Sequence, residues 1–168
     1  YTATTINGTI YAVPANKGMA LNGNLIWDDD IAQAAGVDMS TVNSIEDLEA
    51  VFEQVRAYDP NIVCYAPNNQ GDTGLIRPIL RSEEKVDCLS DTDYYAGVTM
   101  NGDSTVTNLY ASDAFMEKCK LMREWNQKGY LQADAATTTS TASELFSAGR
   151  GFSTIDAYGG DSAGAALS

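Results

Sequence analysis

The stretch Ser44–Ala66, SIEDLEAVFEQVRAYDPNIVCYA, decides the fold class. Ser44 is a good helix N-cap, and Glu46 and Asp47 place negative charge in the first turn, at the positive end of the helix dipole. Ile45, Leu48, Val51, Phe52 and Val55 then fall on one narrow stripe at helical spacing, through Tyr58. Pro60 closes the helix, and Ile62-Val63-Cys64-Tyr65-Ala66 follows as a short apolar strand. Upstream, Asn24-Leu25-Ile26-Trp27 reads as a buried strand running into Asp28-Asp29-Asp30. Those acids suit the start of a second, shorter helix that runs to about Ala35 and stops at Gly36. Strand, helix, strand in this order predicts a parallel βαβ unit with a right-handed crossover.

The pattern continues in both directions. Ile6 to Pro14 reads as an opening strand, apolar and β-branched, followed by a loop at Pro14-Ala15-Asn16-Lys17-Gly18. After the strand ending at Ala66 comes the polar loop Pro67-Asn68-Asn69-Gln70-Gly71-Asp72, then a helix over Gly74 to Arg81. Tyr94 to Met100, a turn at Asn101-Gly102, and Thr105 to Tyr110 read as a β-hairpin. Ser112 caps a long helix that turns Phe115, Cys119, Met122 and Trp125 inward and ends at Gly129. Thr141-Ala142-Ser143-Glu144 matches a capping box before a short helix with Leu145 and Phe146, stopping near Gly149. Gly151 to Asp156 is a final strand, with Tyr158-Gly159-Gly160-Asp161 in its loop. There are no repeats and no interdomain linker, so residues 1–168 are expected to form one α/β domain.

Composition narrows the function. A chain of 168 residues with 44% apolar and 20% charged residues suits one globular domain with a real core. A net charge of −13 argues against nucleic acid and against anionic lipid, because too few Lys and Arg are available to neutralise phosphate. Solubility is the plainest meaning of that acidity. No run approaches the length of a membrane span, and the first residues show neither the cationic stretch nor the apolar run of a secretory signal. Three cysteines make no disulfide framework; Cys64 and Cys119 read as small core residues and Cys88 as an exposed one. With no histidine and no CxxC, no zinc site and no Cys–His pair is expected; no other metal and no cofactor is expected either. The runs at Asp28–Asp30 and Asn101–Asp103 lack the alternation of a calcium loop. Among 23 Asp and Glu a glycosidase-like pair is open, yet no spacing singles one out, and no G-x-S-x-G, P-loop or dinucleotide fingerprint occurs.

In their order these segments resemble extracellular solute-binding proteins of sugar-type ABC importers. Ile6 to Pro14 is similar to the ΦxGKΦYΦΦP strand that crosses between the two lobes of that family. Asn24 to Gly36 resembles its strand and R/N-K-D-L-x-x-x-x-G element, and Ser44 to Tyr58 its T-W-D-E-L helix. Thr105 to Leu131 resembles V-x-N-L-Y-x-T-P-x-Y-x-x-x-L-x-x-M-x-x-W-x-x-x-G-Y-Φ, and Ala142 to Ile155 the F-x-x-G-K-A-F helix and strand. Pro14-Ala15-Asn16-Lys17 is similar to a Pro-x-Asn-Lys of the lipoprotein branch. Two positions depart: Asp29-Asp30 replace a basic–acidic pair, and Gly159-Gly160 stand where many sugar binders carry Pro-Trp.

The resemblance implies one lobe, the second, of a type II periplasmic-binding-protein-like fold, with a mixed sheet flanked by helices. It implies a monomeric bacterial protein, lipid-anchored outside the cell membrane through a part absent here, that passes a small solute to an ABC permease. The implied solute is a carbohydrate or oligosaccharide, held without catalysis or cofactor by closure of two lobes about a hinge. A carbohydrate-active enzyme domain and a structural or adhesive surface module are the alternatives.

Ligands of open α/β sheets meet loops beyond the carboxyl ends of strands. The loops after Trp27, Ala66 and Asp156 qualify. Sugars are gripped by aromatic faces together with amides and carboxylates, so Tyr65, Asn68, Asn69 and Gln70 are candidate contacts, although the same run suits a solvated turn. Asp156 and Tyr158 lie where the family places an aromatic of this lobe; a strand-end Asp also caps helices. Trp27 and Trp125 read as core, and Tyr94 and Tyr95 as surface packing. Tyr11, Pro14 and Lys17 fall at the expected hinge.

Overall fold

A computed structural model describes residues 4–13, 24–67, 76, 79, 86–88, 96–99 and 105–156. At its centre is a three-stranded mixed sheet of β3 (Asn24–Trp27), β4 (Val63–Tyr65) and β8 (Gly151–Asp156), in the order β3-β8-β4. β8 pairs in parallel with β4 and antiparallel with β3. The expected parallel unit from β3 through the Ser44 helix to β4 therefore does not form. The last strand inserts between the two, and the parallel crossover is the one from β4 to β8. Apolar periodicity marks strands without recording their direction, and this is where the reading of Ser44–Ala66 stops.

Three of the described α-helices begin where the sequence places them, and the one read from Ser44 begins later than that cap predicts. Asp28 accepts from the Ile31 N–H at 3.0 Å to start α1 (Asp29–Ala35), and Gly36 ends it. α2 spans Leu48–Tyr58 and buries Leu48, Val51, Phe52 and Val55. Its entry is a turn rather than a full helical turn: Asp47 accepts from the Asn43 and Ser44 N–H groups, each at 2.9 Å, and the Asp47 N–H returns to Ser44 Oγ at 3.3 Å. α3 (Asp113–Gln127) follows the Ser112 cap and buries Met122 and Trp125, with Phe115 and Cys119 only half-buried. α4 (Ala142–Ser147) carries a complete capping box between Thr141 and Glu144.

These helices cover the central sheet. α1, α2 and α3 contribute to the main core, in which Phe52, Val55, Cys64, Tyr65, Trp125, Tyr130 and Phe152 meet. Phe52 is its hub, with edge-on contacts to Trp125, Tyr130 and Phe152 at centroid distances of 5.0, 5.5 and 6.4 Å. A second cluster joins Val63 and Ala66 to Ala142, Leu145 and Phe146 of α4. The expected mixed sheet flanked by helices is thus present.

Two further sheets complete the described residues. β6 (Ala96–Thr99) and β7 (Val106–Asn108) form the expected antiparallel hairpin, joined on its free side by β5 (Val86–Cys88), which the polar sequence there conceals. The opening segment is not one strand. β1 (Thr5–Ile6) and β2 (Thr9–Ile10) fold back on each other across Asn7-Gly8, with positive φ of 50° and 80°. That is the two-residue turn favoured by the right-handed twist of the strands, and Asn-Gly is its commonest sequence. Of the helix expected over Gly74 to Arg81, only Ile76 and Ile79 are described, both helical; the Asn101-Gly102 turn lies outside the described residues.

Candidate binding edge

The candidate site is the end of the central sheet toward which the parallel strands β4 and β8 both run. Tyr65 and Ser153 are register partners, so β8 runs three residues past the end of β4, to Asp156. Three contacts lock that geometry. Ser153 Oγ donates to the Cys64 carbonyl at 2.6 Å, the Ala66 N–H to the Ser153 carbonyl at 2.8 Å, and Thr154 Oγ1 to the Ala66 carbonyl at 2.9 Å. Both hydroxyls are fully buried, so these bonds hold β4 to β8 in a dry environment where an unpaired partner is costly. Pro67, also buried, accepts from the Ala142 N–H at 2.7 Å, which brings the start of α4 to the same edge. Asn24 lies opposite Asp156, so the beginning of β3 completes the row.

The expected contacts distribute unevenly over this edge. Asp156 is the last residue of β8. Tyr65 is not available to a solute in this arrangement. It is fully buried, and its ring sits edge-on to Trp125 with centroids 5.6 Å apart. Burial also pushes its phenol well above the ordinary tyrosine range. The strand-end position suggested a contact, but β4 is flanked by core, and an aromatic at its last position turns inward. Asn68, Asn69, Gln70 and Tyr158 lie outside the described residues, as do Pro14 and Lys17 of the expected hinge. Tyr11 follows β2 and is 70% exposed, with its N–H donating to the Thr4 carbonyl at 3.0 Å.

The loop after Trp27 leaves the candidate set. Because β3 runs antiparallel to β8, its carboxyl end points away from the Asp156 edge, and Asp28 is spent on capping α1. Trp27 itself is 36% exposed, less buried than a core reading expects, while Trp125 is buried as expected. The sequence reading missed the segment before α4, where Thr137-Thr138-Thr139-Ser140 precedes the Thr141 cap. Its density of hydroxyls was the available signal. Among the described residues, no group of three His, Cys, Asp or Glu side chains is placed to hold a metal ion, and no helix is long and apolar enough to cross a membrane.

No family model matches the chain. A carbohydrate ABC transporter substrate-binding protein of Streptococcus pneumoniae serotype 4 (strain ATCC BAA-334 / TIGR4) is 28% identical over 138 residues, covering 82% of this chain. Among solved structures, the N-glycan transport solute binding protein NgtS of Streptococcus pneumoniae in complex with Man1GlcNAc superposes with a TM-score of 0.68 at 26% identity. The chain is similar to these sugar-transport solute-binding proteins. The NgtS complex with Man5GlcNAc gives a TM-score of 0.67 at 25% identity, and both NgtS structures cover 91% of this chain. These relatives are transport proteins rather than enzymes. The chain spans 26% of the length of the S. pneumoniae relative and 32% of the NgtS chain.

Proposed function

We propose that this chain is the second lobe of an extracellular, lipid-anchored substrate-binding protein that delivers an oligosaccharide to an ABC permease. The observation that supports this reading is that the parallel strands β4 and β8 run toward one end of the sheet, where Asn24 lies opposite Asp156 and Pro67 follows β4. Similarity to a carbohydrate substrate-binding protein and to NgtS in its glycan complexes supports a sugar as the solute. In this account Asn68, Asn69, Gln70, Asp156 and Tyr158 supply contacts from the two segments that follow the parallel strands, and Tyr65 supports them from the core. Binding closes this lobe against another part of the full-length polypeptide and selects the closed form without covalent chemistry. The whole acts as a monomer.

The opening hairpin belongs to the same picture. Ile6 and Ile10 are exposed, as are Tyr11 at 70% and Val13 at 77%. A two-stranded ribbon is marginal by itself, and so many apolar side chains on one call for a partner surface. In this proposal that surface is the rest of the polypeptide at the hinge, with Tyr11, Pro14 and Lys17 at the passage between lobes.

Isothermal titration with Man5GlcNAc tests the reading. The full-length protein is expected to bind it saturably and leave it chemically intact. The isolated chain is expected to bind far more weakly, because one wall of an enclosing site gives only part of the contacts and leaves the ligand wet. Equal, tight binding by the isolated chain would overturn the two-lobe account, and cleavage of the glycan would favour a carbohydrate-active enzyme.

A further inference from the structure

We infer that Thr139 and Ser140 form a further, specificity-determining part of this binding edge, one that selects a neutral, hydroxyl-rich ligand; the inference rests on the function proposed above. The position comes first. The Ala142 N–H bonds the Pro67 carbonyl at 2.7 Å, where β4 leaves the sheet. Ser140 and Thr139 precede Ala142 by two and three residues, so their Cα atoms lie within about 8 and 11 Å of it.

The segment is also held rigidly. Thr137 and Thr138 N–H groups both donate to the Asp134 carbonyl at 2.8 Å, and Thr138 is buried. The Ser140 N–H donates to Thr138 Oγ1 at 3.2 Å, and Thr141 is closed into the capping box, its N–H on Glu144 Oε2 at 2.8 Å. The backbone that presents these side chains has little freedom left to lose on binding, which favours selectivity.

The chemistry follows from which hydroxyls are already used. Thr137 Oγ1 donates to the Asp134 carbonyl at 3.3 Å, Thr138 Oγ1 accepts from Ser140, and Thr141 Oγ1 lies 3.3 Å from Glu144 Oε2. The hydroxyls of exposed Thr139 and half-buried Ser140 make no hydrogen bond among the described residues. Each can both donate and accept, as a sugar hydroxyl requires. Residues 135–143 carry no charge, and Glu144 is spent on the cap. With Asp156 at the same edge and a net charge of −13 on the chain, an anionic solute is disfavoured. The amide end of the six-residue α4 takes no part, since its cap already satisfies it.

The test uses the full-length protein carrying Thr139→Val and Ser140→Ala, titrated with Man5GlcNAc, and the isolated chain for thermal melts. Each substitution is expected to weaken binding about threefold to tenfold, the scale of one hydrogen bond, while the melting temperature stays within about a degree of wild type. Thr139→Ser restores the hydroxyl and is expected to recover most of the affinity, which a purely packing role for the threonine would not allow. If wild type binds and both variants match it within twofold, this inference is overturned and the proposed function stands. If wild type binds no neutral glycan, both fall together.

Discussion

Phe52 is fully buried and makes T-shaped ring contacts with Trp125, Tyr130 and Phe152. Phe52→Ala would remove the transfer free energy of the ring and leave three aromatic neighbours around a void. Chemical denaturation should show a loss of about 3–5 kcal/mol. Cys64 lies against the same ring system, with its thiol 3.8 Å from the Phe52 carbonyl. Burial pushes its pKa up to about 12, against a smaller opposing pull from Arg56. It should resist a thiol reagent at pH 8 in the folded chain and react at once in denaturant, as read by peptide mass mapping. Both residues were legible in the sequence, since a stripe at helical spacing and an apolar strand leave few other roles for them. Tyr65 was not. A tyrosine closing a strand is equally at home stacked on a sugar or packed on a tryptophan, and only the position of Trp125 separates the two.

At the scale of elements, the caps were the most readable part of the chain, because a cap is a local hydrogen bond between residues three apart. Ser112 and Thr141 cap as their neighbours predict and Asp28 starts α1 among the expected acids, whereas the helix read from Ser44 begins only at Leu48, after a turn. Asp47 shows the same chemistry with a pH signature. The N–H groups of Asn43 and Ser44 and the Ser44 hydroxyl hold its carboxyl below the usual aspartate range. A depressed folded-state pKa contributes stability that is present above the unfolded value and lost as pH falls through the folded one. Asp47→Asn should therefore destabilise the chain at pH 7, and its difference from wild type should shrink on acidification below the ordinary aspartate range. A difference independent of pH in denaturation curves would contradict this origin. Gly151 lets α4 pack close against β8: a Cβ there would sit 2.6 Å from Phe146 Cδ1 and 3.0 Å from Leu145 Cβ. Gly151→Ala should cost about 1–3 kcal/mol in the same assay, as overpacking does. The opening hairpin was hidden by its own hydrophobicity. Thr5, Ile6, Thr9 and Ile10 read as one strand until Asn7-Gly8 is recognised as a turn.

For the whole molecule, the mixed sheet and its helices followed from the order of periodic segments, but strand order did not. β8 reaches the centre of the sheet from the far end of the sequence, 89 residues after the Cys64 carbonyl to which its Ser153 is bonded. No local pattern announces such a contact. The same long return assembles the candidate edge, which is why Asp156 was found from the end of its strand while Thr139 and Ser140 emerged only once Ala142 was seen bonded to Pro67. The exposed hairpin has a consequence for the chain in solution. A net charge of −13 keeps copies apart at low ionic strength, whereas Ile6, Ile10, Tyr11 and Val13 offer each copy an apolar ribbon with open strand edges. Salt screens the first effect and leaves the second. Sedimentation of the isolated chain should accordingly show a monomer in dilute buffer and reversible self-association as sodium chloride is raised, with Ile6→Lys and Ile10→Lys together abolishing the association. An acidic protein that gathers with salt rather than dispersing would be reporting, through its colloidal behaviour, a surface shaped to be covered.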